Sequence, residues 1–422
     1  MRIKKNGAGL NNIRLSSIFL AAAIFFAFFS FFGVYRYTVY SWPWFLTFFL
    51  YELLFYLGLR SGRFVFGKSY RVKNGKYSFE VSQSGATILW ITCLLSILSF
   101  AYFVFLYRNT LGRFIFGNYT ANSFEEGRTA LEKATLLLMQ IGGDASFLVL
   151  SLDQTGKHRQ LKRLSHVTLF LPGIRYMLMG ARYSIAAEFL VLLVIKWPQI
   201  KERLRFSSRA RREKRIVALF AIVLGISFLY LFASRSIYYT ALERKAFVSG
   251  DMVMKPFWRS LYGITNGRID FLCTASDYLG EAPYIFAYYC KNRLPEEVFF
   301  GQLTFRSIIQ IINNLTGWGY GFSELSSRIA GGQYSGIGYI LIADFGLVGS
   351  FFAAFLFGRV FAVIEKKRFV NRGCAVVFPA VCVICFFAPI FYFYVGRLDY
   401  AILFGLILSV LCLEKRRVDD EG

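Results

Sequence analysis

Histidine is almost missing from this sequence: only His158 and His166 occur in 422 residues. That is too few for a His-rich metal site. Also missing is a glycine-rich phosphate loop followed by a strand lysine, and any dinucleotide-binding fingerprint. The triplet Asp344-Phe345-Gly346 carries the letters that hold magnesium in protein kinases, yet the upstream stretch HRQLKR (158–163) has Gln160 where a kinase needs its catalytic aspartate. A kinase is therefore excluded. No internal repeat is evident, which counts against the two similar halves of many secondary transporters. No cleavable signal peptide is expected, because the first apolar stretch lacks a small-residue cleavage site. Acidic residues are scarce, 25 Asp and Glu against 49 Lys and Arg, which leaves a net charge of +24.

What fills the chain instead is apolar. It is 56% hydrophobic and 19% aromatic, with 48 Phe and a mean hydropathy of +0.47. A soluble domain cannot clothe itself in such a composition. Apolar runs predict an all-α polytopic membrane protein of about ten spans, at 15–34, 42–59, 85–107, 131–151, 164–180, 183–197, 216–233, 335–361, 374–394 and 399–413. Basic residues orient them. With both termini in the cytoplasm, the cytoplasmic segments hold 29 Lys and Arg and the short outside loops hold 6. The block RLRFSSRARREKR within the loop 198–215 is then a cytoplasmic anchor, and nucleic acid is not the partner implied by +24. The whole chain, 1–422, reads as one integral membrane domain with one large extracytoplasmic loop, 234–334, between the seventh and eighth spans.

That loop is rich in Tyr, Trp, Phe and Arg. Aromatic faces pack on sugar rings and Arg binds phosphate oxygens bidentately, although aromatic belts at the bilayer surface have the same composition. FWRSLYGI (257–264) and FRSIIQIINNL (305–315) space their apolar residues as short interfacial helices do.

Three patches carry a family resemblance. GGQYSGIGYILIADFGLVGSFFAAFLFG leads through Gly331, Gly332, Tyr334 and Tyr339 into Asp344-Phe345-Gly346, then Gly349 and Gly358. SDYLGEAPYIFAYY (276–289) has a Tyr, Gly and Pro framework but places Glu281-Ala282 before Pro283. GARYS (180–184) opens a span, with Ala181 where a Gly-Ser-Arg element has Ser. Together with the span layout they resemble the Wzy-type polymerases of bacterial surface polysaccharides, such as O-antigen polymerases of lipopolysaccharide biosynthesis. The resemblance implies a GT-C-like membrane glycosyltransferase in the bacterial cytoplasmic (inner) membrane. It would move a growing glycan from undecaprenyl diphosphate onto an incoming lipid-linked repeat unit, without cofactor, metal or nucleotide sugar. The implied partners are undecaprenyl-diphosphate-linked oligosaccharides, the bilayer, and flippase and chain-length regulator proteins. The alternatives are a polysaccharide flippase or other transporter, an O-antigen-ligase-like enzyme, and a peptidoglycan-type glycosyltransferase; both histidines fall on the cytoplasmic side, against the ligase.

Such chemistry needs cations on the leaving diphosphate and an acceptor for the hydroxyl proton. Arg182 and Arg328 are the first candidates for the diphosphate, followed by Arg175 and Arg235; Glu281, then Asp277, are the candidates for the base. Asp344 lies about 12 Å into a straight eighth span, counted from Gly336 by helix rise. Its expected role is a charge pair with Arg175 on another helix, with proton or substrate handling as the other reading. Glu52, Asp144 and Glu188 also fall within spans and keep a proton-coupled transporter open. Among seven cysteines, Cys382 and Cys385 read as helix packing, and Cys273 and Cys290 are the pair placed where a disulfide could form.

Overall fold

A computed structural model describes residues 14–37, 41–62, 77–108, 130–152, 158–178, 187–197, 252–292, 297–306, 308–309, 311–312, 336–390 and 398–417. These are mostly helical, and five helices among them are long and apolar enough to cross a membrane. In chain order the elements are α1 (Leu15–Phe32), β1 (Tyr35–Tyr37), α2 (Trp42–Ser61), β2 (Tyr77–Val81), α3 (Gln83–Tyr107), α4 (Ala130–Leu152), α5 (Arg159–Thr168), α6 (Leu171–Leu178) and α7 (187–197). They continue with β3 (Met252–Met254), α8 (Pro256–Ile264), α9 (Asp270–Gly280), α10 (Ala282–Asn292), α11 (Gly338–Lys367), α12 (Arg372–Phe387), α13 (Leu398–Cys412) and β4 (Leu413–Arg417). The expected span 216–233, the loop 198–215 and the residues Arg182, Arg235 and Arg328 lie outside the described residues.

The spanning candidates are α1, α2, α3, α11 and residues 134–151 of α4; α12 and α13 are apolar but shorter. Large apolar side chains stand exposed on them, among them Phe28, Leu46, Leu98 and Phe352. Surfaces of that kind belong in lipid. Two expected spans are corrected. The fifth, 164–180, is two short helices, because the chain turns at Leu169 and Phe170 and restarts at Leu171-Pro172. Pro172 has no N–H to give a preceding turn but fits the first turn of a new helix. The eighth is α11, whose backbone breaks at Gly346 with φ 68° and ψ 174°. The break comes two residues after Asp344, so the helical rise up to Asp344 is regular and the chain changes direction just beyond it.

The main core lies among α1, α2, α10, α11 and α12. α2 and α11 cross at two glycines. A Cβ on Gly58 would strike the Phe355 carbonyl, and one on Gly358 would strike the Phe55 carbonyl. Removing both side chains lets the two backbones touch. One turn or two further along, the Tyr51 and Ser350 hydroxyls meet at 2.5 Å. A second cluster joins α3, α4, α5 and α13, where Ser96 donates to the Met139 carbonyl.

Two antiparallel ribbons tie distant segments together. β1 pairs with β3, Tyr35 opposite Met254, and β2 pairs with β4, Val81 opposite Leu413. The second ribbon runs into the start of α3, where Ser82 caps the helix through Gly85 N–H and also donates to the Cys412 carbonyl.

Candidate functional site

The first centre is the corner between α9 and α10. Backbone bonds run through it without a gap: Glu281 N–H donates to Asp277 O, and Ile285 N–H to Glu281 O. Pro283 falls in the first turn of α10, where its missing donor costs nothing. Small residues let the corner press on the end of α1. A Cβ on Gly280 would come within 2.7 Å of the Phe29 carbonyl, and one on Gly33 within 2.7 Å of Ser276 Oγ. Ser276 Oγ accepts from Val34 N–H, and Lys255 Nζ donates to the carbonyls of Phe31 and Gly33. These contacts satisfy groups that the end of a helix leaves open.

Both carboxylates expected to serve as base are found here, and neither is a solvated surface charge. Asp277 is 0% exposed and Glu281 4%. Tyr37 OH donates to Asp277 Oδ1 at 2.7 Å, and the Tyr37 ring stacks on Tyr284 with centroids 4.4 Å apart. Tyr284 OH in turn donates to the Ser30 carbonyl, and burial pushes its phenol pKa up. Asp277 is thus fixed by a phenol from β1, while Glu281 occupies the corner itself. Tyr37 went unread in the sequence; its only signal is its place beside a span end in the aromatic run YRYTVY.

The second centre is the elbow of α11. Asp344, fully buried, does not pair with Arg175. Its carboxylate accepts from the backbone N–H groups of Leu303 (3.0 Å) and Thr304 (2.6 Å) and from the Thr304 hydroxyl. Phe299 N–H donates to the Ala343 carbonyl. The turn these bonds hold contains two left-handed residues, Phe300 (φ 51°) and Gly301 (φ 85°). Asp344 is the anchor of loop 299–304, and Gly346 is the hinge that turns the chain away beneath it. Nothing in the sequence marks Thr304 as its partner, since 40 residues separate them.

The two centres touch. Tyr289 of α10 and Tyr339 of α11 have ring centroids 5.3 Å apart. A Cβ on Gly338 would sit 2.6 Å from the Phe286 ring and 2.8 Å from Tyr51. Arg175 lies elsewhere. It is 4% exposed on α6, which packs on α3 and α4, and its guanidinium sits 5.9 Å from the Phe103 centroid. Phe103 is one turn, about 6 Å, from the end of α3.

Two other buried acids, Asp144 and Glu188, have neutral donors. Gln140 Nε2 donates to both oxygens of Asp144, and Gly173 N–H donates to Glu188 at 3.1 Å. Cys273 and Cys290 are free thiols in different clusters. Burial, with Asp270 nearby, pushes the Cys273 thiol up to about 11, and burial also raises Cys290. Cys382 and Cys385 are buried within α12, as packing requires. Among the described residues no group of three or more His, Cys, Asp or Glu is placed to hold a metal. No protein-family model, curated protein or solved structure matches the chain.

Proposed function

We propose that this chain is a membrane glycosyltransferase that polymerises undecaprenyl-diphosphate-linked oligosaccharide repeats on the outer face of the cytoplasmic membrane. The observation that carries the reading is the contact between the two stretches that resemble Wzy-type polymerases. Residues 276–289 and 336–358 are distant in sequence and pack on one another through Phe286, Tyr289, Gly338 and Tyr339. A pair of buried carboxylates stands at the head of that contact.

The ribbons fit the expected sharing of sides among four of the connecting segments. β1–β3 joins segments expected outside, and β2–β4 joins segments expected in the cytoplasm. Two paired strands share one side of the membrane, because open sheet edges are not tolerated within the bilayer.

In this reading the acceptor hydroxyl oxygen attacks the anomeric carbon of the growing glycan. The bond from that carbon to the diphosphate oxygen breaks, and its electron pair leaves on the lipid diphosphate. The hydroxyl proton passes to Glu281. Asp277 is held by Tyr37 and positions the corner. Arg182, Arg328 and Arg235 are the proposed cations for the diphosphate, and all three lie outside the described residues; Arg175, expected with them, sits on α6 against α3 and α4.

A transporter is the second reading, favoured by the burial of Glu52, Asp144 and Glu188 within apolar helices. Deletion of the gene followed by a glycan ladder gel separates them. Loss of a polymerase leaves a single repeat on the lipid acceptor, whereas loss of a flippase or a ligase leaves none.

A further inference from the structure

The polymerase reading makes no use of α8, whose apolar residues point in two directions. Trp258 and Tyr262 turn inward and pack with Val34, Tyr35, Tyr37, Met254 and Cys273. Phe257 and Ile264 point outward, 70% and 79% exposed, with Leu261 between them partly covered. At 3.6 residues per turn Phe257, Leu261 and Ile264 fall within an arc of about 60°, and exposed Arg259 lies about 140–160° from its members. The helix therefore has an inner packed side, an apolar flank and a polar flank opposite it.

Its height is fixed by three contacts to the end of α1, a spanning candidate. Lys255, the residue before α8, donates its backbone N–H to Val34 O and its Nζ to the carbonyls of Phe31 and Gly33. Met254 pairs with Tyr35 across the β1–β3 ribbon. At this end of α1 the side chains of Phe28, Phe31 and Phe32 are themselves exposed. The apolar flank of α8 thus starts where the lipid-facing surface of a span ends.

We propose that α8 lies in the plane of the bilayer surface, with Phe257, Leu261 and Ile264 buried in the outer boundary of the acyl chains and Arg259 in water. A short amphipathic helix held at headgroup level has this division of faces. The occupant is lipid rather than a second protein, because Lys255 ties the start of α8 to the end of a spanning candidate at which Phe28, Phe31 and Phe32 are exposed. The assignment is independent of the reaction catalysed.

The test is the full-length protein in nanodiscs made with a phosphatidylcholine that carries a photoreactive diazirine in its acyl chain, followed by mass spectrometry of peptides. Adducts are expected on Phe257, Leu261 and Ile264 as well as on Phe28 and Phe32, with none on Arg259. The variant Phe257→Asp/Ile264→Asp is expected to lose the α8 adducts and keep those on α1, since both substituted side chains are mostly exposed. Labelling of α1 without α8, unchanged labelling of the double variant, or crosslinks from residues 256–264 to a second copy of the chain would each overturn the assignment.

Discussion

Asp344 accepts two hydrogen bonds from a single residue, Thr304: one from its backbone N–H at 2.6 Å and one from its hydroxyl. The motif that suggests magnesium chemistry is thus an anchor for a turn that comes 40 residues earlier. Hydrogen bonds to a charged acceptor contribute about 1.5–3 kcal/mol each. Asp344→Asn and Thr304→Val should each lower the thermal midpoint of the purified protein. Combined, they should cost less than the sum of the two, because they remove one shared contact. Arg175→Gln should be additive with Asp344→Asn. Rescue of Asp344→Asn by Arg175→Gln would restore the charge-pair reading.

Gly346 has the backbone angles of a region that is essentially closed to other residues, and forcing a side chain there costs about 1–3 kcal/mol. The space itself is open, since the nearest atom to a new Cβ is Val298 Cγ2 at 3.9 Å. Gly346→Ala should therefore destabilise through its backbone alone, and Gly346→Asn should fare no better, because asparagine's tolerance is for the αL region and not for these angles. Equal midpoints for Gly346→Ala and the native protein would mean that α11 is straight.

The Gly58 and Gly358 crossing makes a steric prediction. Alanine at either site drives a methyl into a carbonyl of the facing helix, and overpacking of this kind costs about 1–3 kcal/mol. Each variant should show reduced monodisperse protein by size-exclusion chromatography. Gly263→Ala, with nothing within 4 Å of its new Cβ, is the control and should behave as the native protein.

Thiol chemistry checks the interior around α9 and α10. Cys273 and Cys290 are buried, free and raised in pKa. A thiol reacts as its thiolate, so both should resist maleimide at neutral pH in the folded protein and react after denaturation without reductant. A denatured protein that needs reductant to expose these two thiols would show a disulfide between them.

The sequence reveals spans where apolar runs are unbroken. The ends of α1 to α4 and of α13 fall within a few residues of the runs that mark them. The spacing of FWRSLYGI likewise matches α8. The elbow is hidden, because Gly346 sits in an apolar run whose composition is the same whether the helix bends or not. The break before α6 does leave a mark, the Pro172-Gly173 pair, which the long apolar run outweighs in a composition-based reading. Pairings such as Tyr37 with Asp277 span 240 residues, and no local pattern encodes a contact at that range. Asp277 and Glu281 could be chosen by their patch, but their burial follows from β1 and α1, which lie far upstream.

The central claim is glycosyl transfer at the Glu281 corner. The direct measurement is purified protein in detergent, given a single undecaprenyl-diphosphate repeat unit and no nucleotide sugar, with lipid-linked products resolved by mass spectrometry. The account predicts a series of two, three and more repeats with release of undecaprenyl diphosphate. It also predicts a loss of at least about 100-fold in rate for Glu281→Gln at unchanged thermal midpoint, the scale on which a general base contributes. Native protein that leaves the single-repeat lipid unextended, or a Glu281→Gln variant that extends it at the native rate, would contradict it.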